Sequence, residues 1–296
     1  MTFGSIGSNH ALATAIYARQ LGLKSISMLV PQPNANYVRH NLLMSYYSGA
    51  ELHLYSPKLF IMATATPAVF YQLLRHRLKG GQWPRIIPMG GSSPLGAVGY
   101  VNAAFELKAQ ILRGEIPEPD YIYVAAGSMG TAAGLILGLR ALNIKTKVVV
   151  VRVNSDRFVN AKGLIKLIYK TNSRLSSLDP SFPRLDFSEH DVDIRHSFFG
   201  KQYALFTKEG MEAVALMERY GTIKLEGTYT GKAFAALVND AKKSSLRDKV
   251  LLFWNTYNSL DFSETIATAD YHQLPRCFHR YFEEEAQPLE REQNNL

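Results

Sequence analysis

The residues with the clearest chemical purpose are Gly127, Ser128, Met129, Gly130 and Thr131. They sit between an apolar run at 121–126 and a helical pattern that continues to Leu142. A strand that turns through glycines into a helix frees backbone amides at the positive end of the helix dipole. The Ser128 and Thr131 hydroxyls can join those amides around an oxyanion. Phosphate is the ligand such a turn suits. The spacing is not GxxxxGK[ST], because no lysine follows, and GSMGTAAG matches GxGxxG only loosely, so a nucleotide fingerprint is not supported. The same residues would also serve a tight turn built only for close packing.

Three more polar turns follow expected strand ends: Ser8-Asn9-His10, residues 90–93, and Asn255-Thr256. Ends of parallel strands lie on one side of a sheet, so these groups can face a common crevice. Ser8 and Asn9 at a helix start can meet a carboxylate or a ring oxygen anion, although Ser8 serves equally well as a helix cap. His10 has the ordinary pKa of an acid or base, and equally that of a polar surface residue. Tyr229 and Lys232 stand in the tight turn EGTYTGKA, with packing and a solvated charge as their plain alternatives.

The elements that must position these groups alternate. Strands are expected at 25–30, 51–55, 85–88, 121–126, 147–153 and 249–254. Helices are expected at 11–21, 37–48, from Thr66-Pro67 to about 78, from Ser93-Pro94 to about 112, from Thr131 onward, from a Thr207 cap to about 220, and at 231–241. That alternation argues for an α/β fold with parallel sheets covered on both faces by helices. The glycine turn at residues 4–10 is preceded by too few apolar residues for an ordinary strand, so the chain reads as beginning inside a repeating unit. Gly-Gly-Ser-Ser-Pro at 90–94 interrupts the pattern. Domains are therefore expected at 1–95, a smaller and N-terminally incomplete α/β unit, and at 96–282, a larger one, with a cleft between them. An acidic polar tail is expected at 283–296.

The chain has 296 residues, 47% hydrophobic and 20% charged, which suits a globular protein with a large core. Its net charge of +8 is dispersed, with no basic run longer than Lys242-Lys243, which argues against a nucleic-acid module. No apolar run reaches the roughly 20 residues of a membrane span. The single cysteine, Cys277, excludes an internal disulfide and a multi-cysteine metal site and fits a cytoplasmic location.

Taken together, four segments resemble the fold-type II pyridoxal-phosphate enzymes of the 1-aminocyclopropane-1-carboxylate deaminase and D-cysteine desulfhydrase family. They are GSIGSNHALATAIYARQLGL, IIPMGGSSPLGAVGYVNAAFEL, DYIYVAAGSMGTAAGLILGL and TYTGKAFAAL, in the family's order. The resemblance implies two open, mainly parallel three-layer αβα domains, tryptophan synthase β-like, a homodimer, and a small amino-acid substrate. It also implies that Asn9 contacts the ring oxygen of pyridoxal 5'-phosphate, that residues 127–131 hold its phosphate, and that Thr256 faces its pyridine nitrogen. Ser8, Asn9, His10 and Tyr229 would face the substrate, with Ser8 and Tyr229 as the catalytic pair. The family's Schiff-base lysine stands in a Gly-Asn-Lys context upstream of the Ser-Asn-His turn, whereas the first lysine here, Lys24, lies downstream. Asn255-Thr256-Tyr257-Asn258 also replaces the family's His-Thr-Gly-Gly. The expectation is a lyase nearest D-cysteine desulfhydrase, inactive or impaired as it stands. The alternatives are a 1-aminocyclopropane-1-carboxylate deaminase and a non-catalytic binding protein that keeps the fold. Lys232 is the one substitute base the sequence offers.

Overall fold

The computed structural model describes residues 1–56, 67–221, 223–258 and 260–293, with 291–293 described by backbone alone. The chain divides into two compact units. One comprises Met1–Gly90 with Leu260–Gln287, and the other Gly91–Ser259 with Pro288–Leu296.

In the first unit, strands β1 (Thr2–Ser5), β2 (Ile26–Val30) and β3 (Glu51–Leu54) form a parallel sheet in that order. Helices α1 (Asn9–Gln20) and α2 (Asn36–Tyr47) cross between them, and α3 (Pro67–Gly80) brings Val69 against Met1, Phe3, Ile26 and Met28. The glycine turn therefore does follow a strand, contrary to the expectation from apolar count. β1 has only four residues, TFGS, and Thr2 and Gly4 hide it, yet all four are buried. Residues 85–88 form no strand. Ile87 makes one isolated parallel bridge to Thr2, because Pro84 and Pro88 on either side lack the amides a ladder needs. Thr66, the expected cap of α3, lies outside the described residues.

The segment Leu260–Gln287 belongs with this unit rather than with the second, where the sequence placed it up to residue 282. It is a series of short turns and helices, including α9 (Ser263–Ile266) and α10 (Arg280–Glu283), anchored by buried Leu274, Phe278 and Tyr281. Asn34 Nδ2 donates to the Tyr281 and Glu284 carbonyls at 3.0 and 2.9 Å, and Arg39 donates to the same two, so two side chains satisfy the end of α10. Residues Pro288–Gln293, expected as tail, form a short helix, α11.

The second unit holds a four-stranded parallel sheet in the order β6-β5-β4-β7. Here β4 is Tyr121–Ala126, β5 is Lys147–Arg152, β6 is Asp193–Arg195 and β7 is Leu251–Phe253. Its central strands are apolar without alternation because both faces are covered. Ile122, Val124, Ala126, Val148 and Val150 enter one core, with residues of helices α4 (Pro94–Leu112), α5 (Gly130–Ala141) and α6 (Ala161–Leu178). Tyr123, Ala125, Val149, Val151 and Val153 enter the other, against Ala233 and Ala236 of α8 (Thr230–Ala241). This period-two division makes three layers, with α7 (Lys208–Tyr220) packed on α8. Helices α4 and α5 meet at backbone distance. A side chain at Gly134 would strike the Ala97 carbonyl and Tyr100, and one at Gly138 would strike Val101 and Ala104.

Candidate functional site

In the second unit, β4 runs straight into the loop Gly127, Ser128, Met129, Gly130 and Thr131, all half-buried. Helix α5 starts there without a side-chain cap. Its N-cap is Met129, in the left-handed region at φ 68°, a conformation costly for a residue with a side chain. The other long helices of this unit are capped: α4 by Ser93, α6 by Asn160 and α7 by Thr207 through their own side chains, and α8 by the Glu226 carboxylate. Among the described residues no backbone carbonyl takes the amides of Ser128 or Met129, and Thr131 lies in the first helical turn, where the geometry leaves its amide unpaired. One donor is taken: the Gly130 amide donates to Ser92 Oγ at 2.9 Å, and Ser92 donates to Ser128 Oγ at 2.9 Å. Asn154 Nδ2 holds the Gly127 carbonyl at 3.0 Å. The result is a neutral cradle of amides and hydroxyls at a positive helix end, the chemistry a phosphate dianion needs.

Tyr229 lies against this loop. A side chain at Gly127 would come within 2.7 Å of Tyr229 Cε1, so glycine is needed there for the ring to approach. Tyr203, which the sequence did not flag, places its hydroxyl 2.5 Å from that of Tyr229. Below them the start of α8 is fully braced. The buried Glu226 carboxylate accepts the amides of Thr228, Tyr229 and Thr230 at 2.7, 2.7 and 2.9 Å. Burial pushes its pKa up against those three amides and Lys232. Lys232 has no exposed surface and donates to the Phe199 and Leu205 carbonyls, both at 2.8 Å. Burial pulls its pKa down to about 8. The ammonium thus pins the loop carrying Tyr203 and is not presented as a base for a bound carbonyl. Thr256 is exposed just beyond β7.

In the first unit, Ser8 caps α1, its Oγ accepting the Ala11 amide at 3.2 Å. Asn9 is half-buried, and its Oδ1 accepts from Asn41 Nδ2 at 2.8 Å. Burial lowers the pKa of His10, favouring the neutral ring. Among the described residues no group of three or more His, Cys, Asp or Glu could hold a metal ion, and no helix is long and apolar enough to cross a membrane.

Comparison with known proteins agrees with this chemistry. Residues 2–256 match the family model "Pyridoxal-phosphate dependent enzyme". The chain is 33% identical to D-cysteine desulfhydrase of Klebsiella pneumoniae over 262 residues, covering 86% of this chain and 75% of the relative. It is 32% identical to a protein of Pyrococcus horikoshii named "Putative 1-aminocyclopropane-1-carboxylate deaminase", over 85% of this chain and 71% of the relative. A crystal structure of an ACC deaminase homologue superposes with a TM-score of 0.68 at 27% identity, covering 90% of this chain and 77% of the other. With its anion cradle, its parallel α/β sheets and these relatives, the chain belongs to the pyridoxal-phosphate-dependent enzymes, in the group of 1-aminocyclopropane-1-carboxylate deaminases and D-cysteine desulfhydrases.

Proposed function

We propose that the chain is built for β-elimination from a small amino acid, with D-cysteine and water giving pyruvate, ammonia and sulfide. The observation that carries this reading is the uncapped start of α5, where the amides of Ser128, Met129 and Thr131 find no partner among the described residues and stand beside two hydroxyls. When bound, pyridoxal phosphate supplies an electron sink for charge developing at the substrate Cα. The loop at 127–131 would hold its phosphate, Asn9 its ring oxygen, and Thr256 would face its pyridine nitrogen. Ser8 accepts an amide as a cap, and its O–H is left to donate to a substrate carboxylate. Tyr229, hydrogen-bonded to Tyr203, would move a proton at the leaving group. A hydroxyl at residue 256 leaves the pyridine nitrogen less protonated than a carboxylate would. The weaker sink favours loss of a thiolate over opening of a cyclopropane ring.

The 296 residues taken alone would hold the cofactor without a covalent bond and turn over little substrate, because Lys232 is engaged with two carbonyls. That same geometry is what favours the alternative of a binding protein that keeps the fold. The test is to place a Gly-Asn-Lys segment from a relative ahead of the chain and to measure pyruvate and sulfide from D-cysteine against 2-oxobutanoate from the cyclopropane acid. Ring opening faster than desulfhydration would overturn the substrate assignment, and no turnover of either would favour the binding protein. The homodimer implied by the resemblance is checked by sedimentation of the same sample.

A further inference from the structure

The turn that opens α1 is braced from outside. The Gly7 amide donates to Gln32 Oε1 at 3.0 Å, and the Gly7 carbonyl accepts from Asn41 Nδ2 at 3.0 Å. The same nitrogen donates to Asn9 Oδ1 at 2.8 Å. Asn41 lies in α2 and is only 4% exposed, so an amide that would be costly to bury unpaired has both its hydrogens engaged by this one turn.

The hydrogen bonds fix the orientation of both amides by elimination. A backbone carbonyl only accepts, so the Asn41 atom facing Gly7 is its nitrogen. The second hydrogen on that nitrogen requires an acceptor, so Asn9 turns its oxygen toward Asn41 and its Nδ2 away. Among the described residues nothing accepts from Asn9 Nδ2. A donor is thereby held with a set direction at the start of a helix, where the backbone also favours negative charge.

We propose that Asn41 is a positioning residue, which orients the Asn9 amide so that Nδ2 rather than Oδ1 meets the ring oxygen of pyridoxal phosphate. The proposal rests on the cofactor-binding reading given above. With Asn41 gone, the Asn9 amide can turn over and set an acceptor against an anionic oxygen, so the ring-oxygen contact weakens while the phosphate contacts do not change.

The test is equilibrium binding of three probes to the 296-residue chain by fluorescence: pyridoxal phosphate, its 3-O-methyl ether, and inorganic phosphate. Asn41→Ala and Asn9→Ala should each lower pyridoxal phosphate affinity roughly ten- to hundredfold, the effect of one hydrogen bond to a charged group. The double variant should lose no more than Asn9→Ala alone, since one residue acts through the other. Phosphate affinity should stay within about twofold, and the methyl ether, which lacks the anionic oxygen, should show a smaller difference. Asn41→Asp keeps the shape but removes the donor and draws Asn9 Nδ2 toward itself, so it should lose more than Asn41→Ala. Additive losses in the double variant, equal loss of phosphate binding, or an Asn41→Asp no weaker than Asn41→Ala would overturn the proposal. Should Asn9→Ala bind pyridoxal phosphate as the parent does, the positioning role falls while the cofactor reading stands. Should the parent bind none of the probes, the cofactor reading falls and takes the proposal with it.

Discussion

Two helix starts in the second unit handle polar groups in opposite ways. At α8, Glu226 and Lys232 are buried, and each is matched, the carboxylate by three amides and the ammonium by two carbonyls. At α5, amides have no partner among the described residues and Met129 is held in a left-handed conformation. Removing a matched group strands its partners in a low dielectric, whereas removing a donor from the open loop leaves nothing buried and unpaired. The first start is a frame, and the second has the open donors that the proposed phosphate site requires. The same residue types serve rigidity in one place and binding in the other.

Substitution can break that contrast, and the largest effect is expected at the frame. Lys232→Met should destabilise the fold by about 3 kcal/mol, since it leaves two buried carbonyls and the Glu226 charge without their cation. Urea unfolding measures this, and a loss below about 1 kcal/mol would mean that Lys232 is not part of a frame.

Tyr229→Phe comes next. In a chain carrying the upstream lysine it should lower turnover on the order of a hundredfold, the ordinary range for a proton-transfer group, with cofactor retention little changed. Equal losses of turnover and retention would place Tyr229 with the cofactor-holding loop instead.

Thr131→Val should do the reverse, weakening phosphate or cofactor binding about fivefold, or about 1 kcal/mol, with stability within about 0.5 kcal/mol of the parent. Calorimetry and thermal unfolding on one sample separate the two quantities.

A pH dependence follows from the same lysine. Lys232 titrates at about 8 in the folded chain against an ordinary 10.5, so between those values the unfolded chain binds more protons. The contribution of this group to stability is therefore complete above about 10.5 and is lost as pH falls through about 8. The parent should show this rise in unfolding free energy between pH 8 and 10, and Lys232→Met should lack it.

The strands of the second sheet and two of its helix caps were legible in the sequence, and little of the frame was. Residues 121–126 and 147–152 announce themselves as strands because both their faces are buried, and Ser93 and Thr207 are caps whose side chains need only local geometry. Tyr203 was not legible. It sits in a stretch without periodicity, and its place beside Tyr229 depends on carbonyls held by a lysine 29 or so positions further along. Asn41 looks like any polar residue of an amphipathic helix until the Gly7 turn is seen to need it. Short helices such as α10 lack the length for a periodic signal, so the return of residues 260–287 to the first unit is visible only in their buried aromatics and in the carbonyls held by Asn34 and Arg39.

The glycines at 130, 134 and 138 recur every four residues along α5, on the side where α4 approaches, and Ser92, just ahead of α4, is the residue that meets Gly130. The spacing between two helices thus works as a mechanical linkage to the loop at 127–131. A methyl group added at Gly138, about 12 Å along the axis from Gly130, cannot be absorbed where Val101 and Ala104 already touch, so α4 must pivot or slide. Its far end would then carry Ser92 away from the Gly130 amide. Gly138→Ala would thus disturb the Ser92 contact at the start of the loop through helix packing alone, with every residue of the loop unchanged.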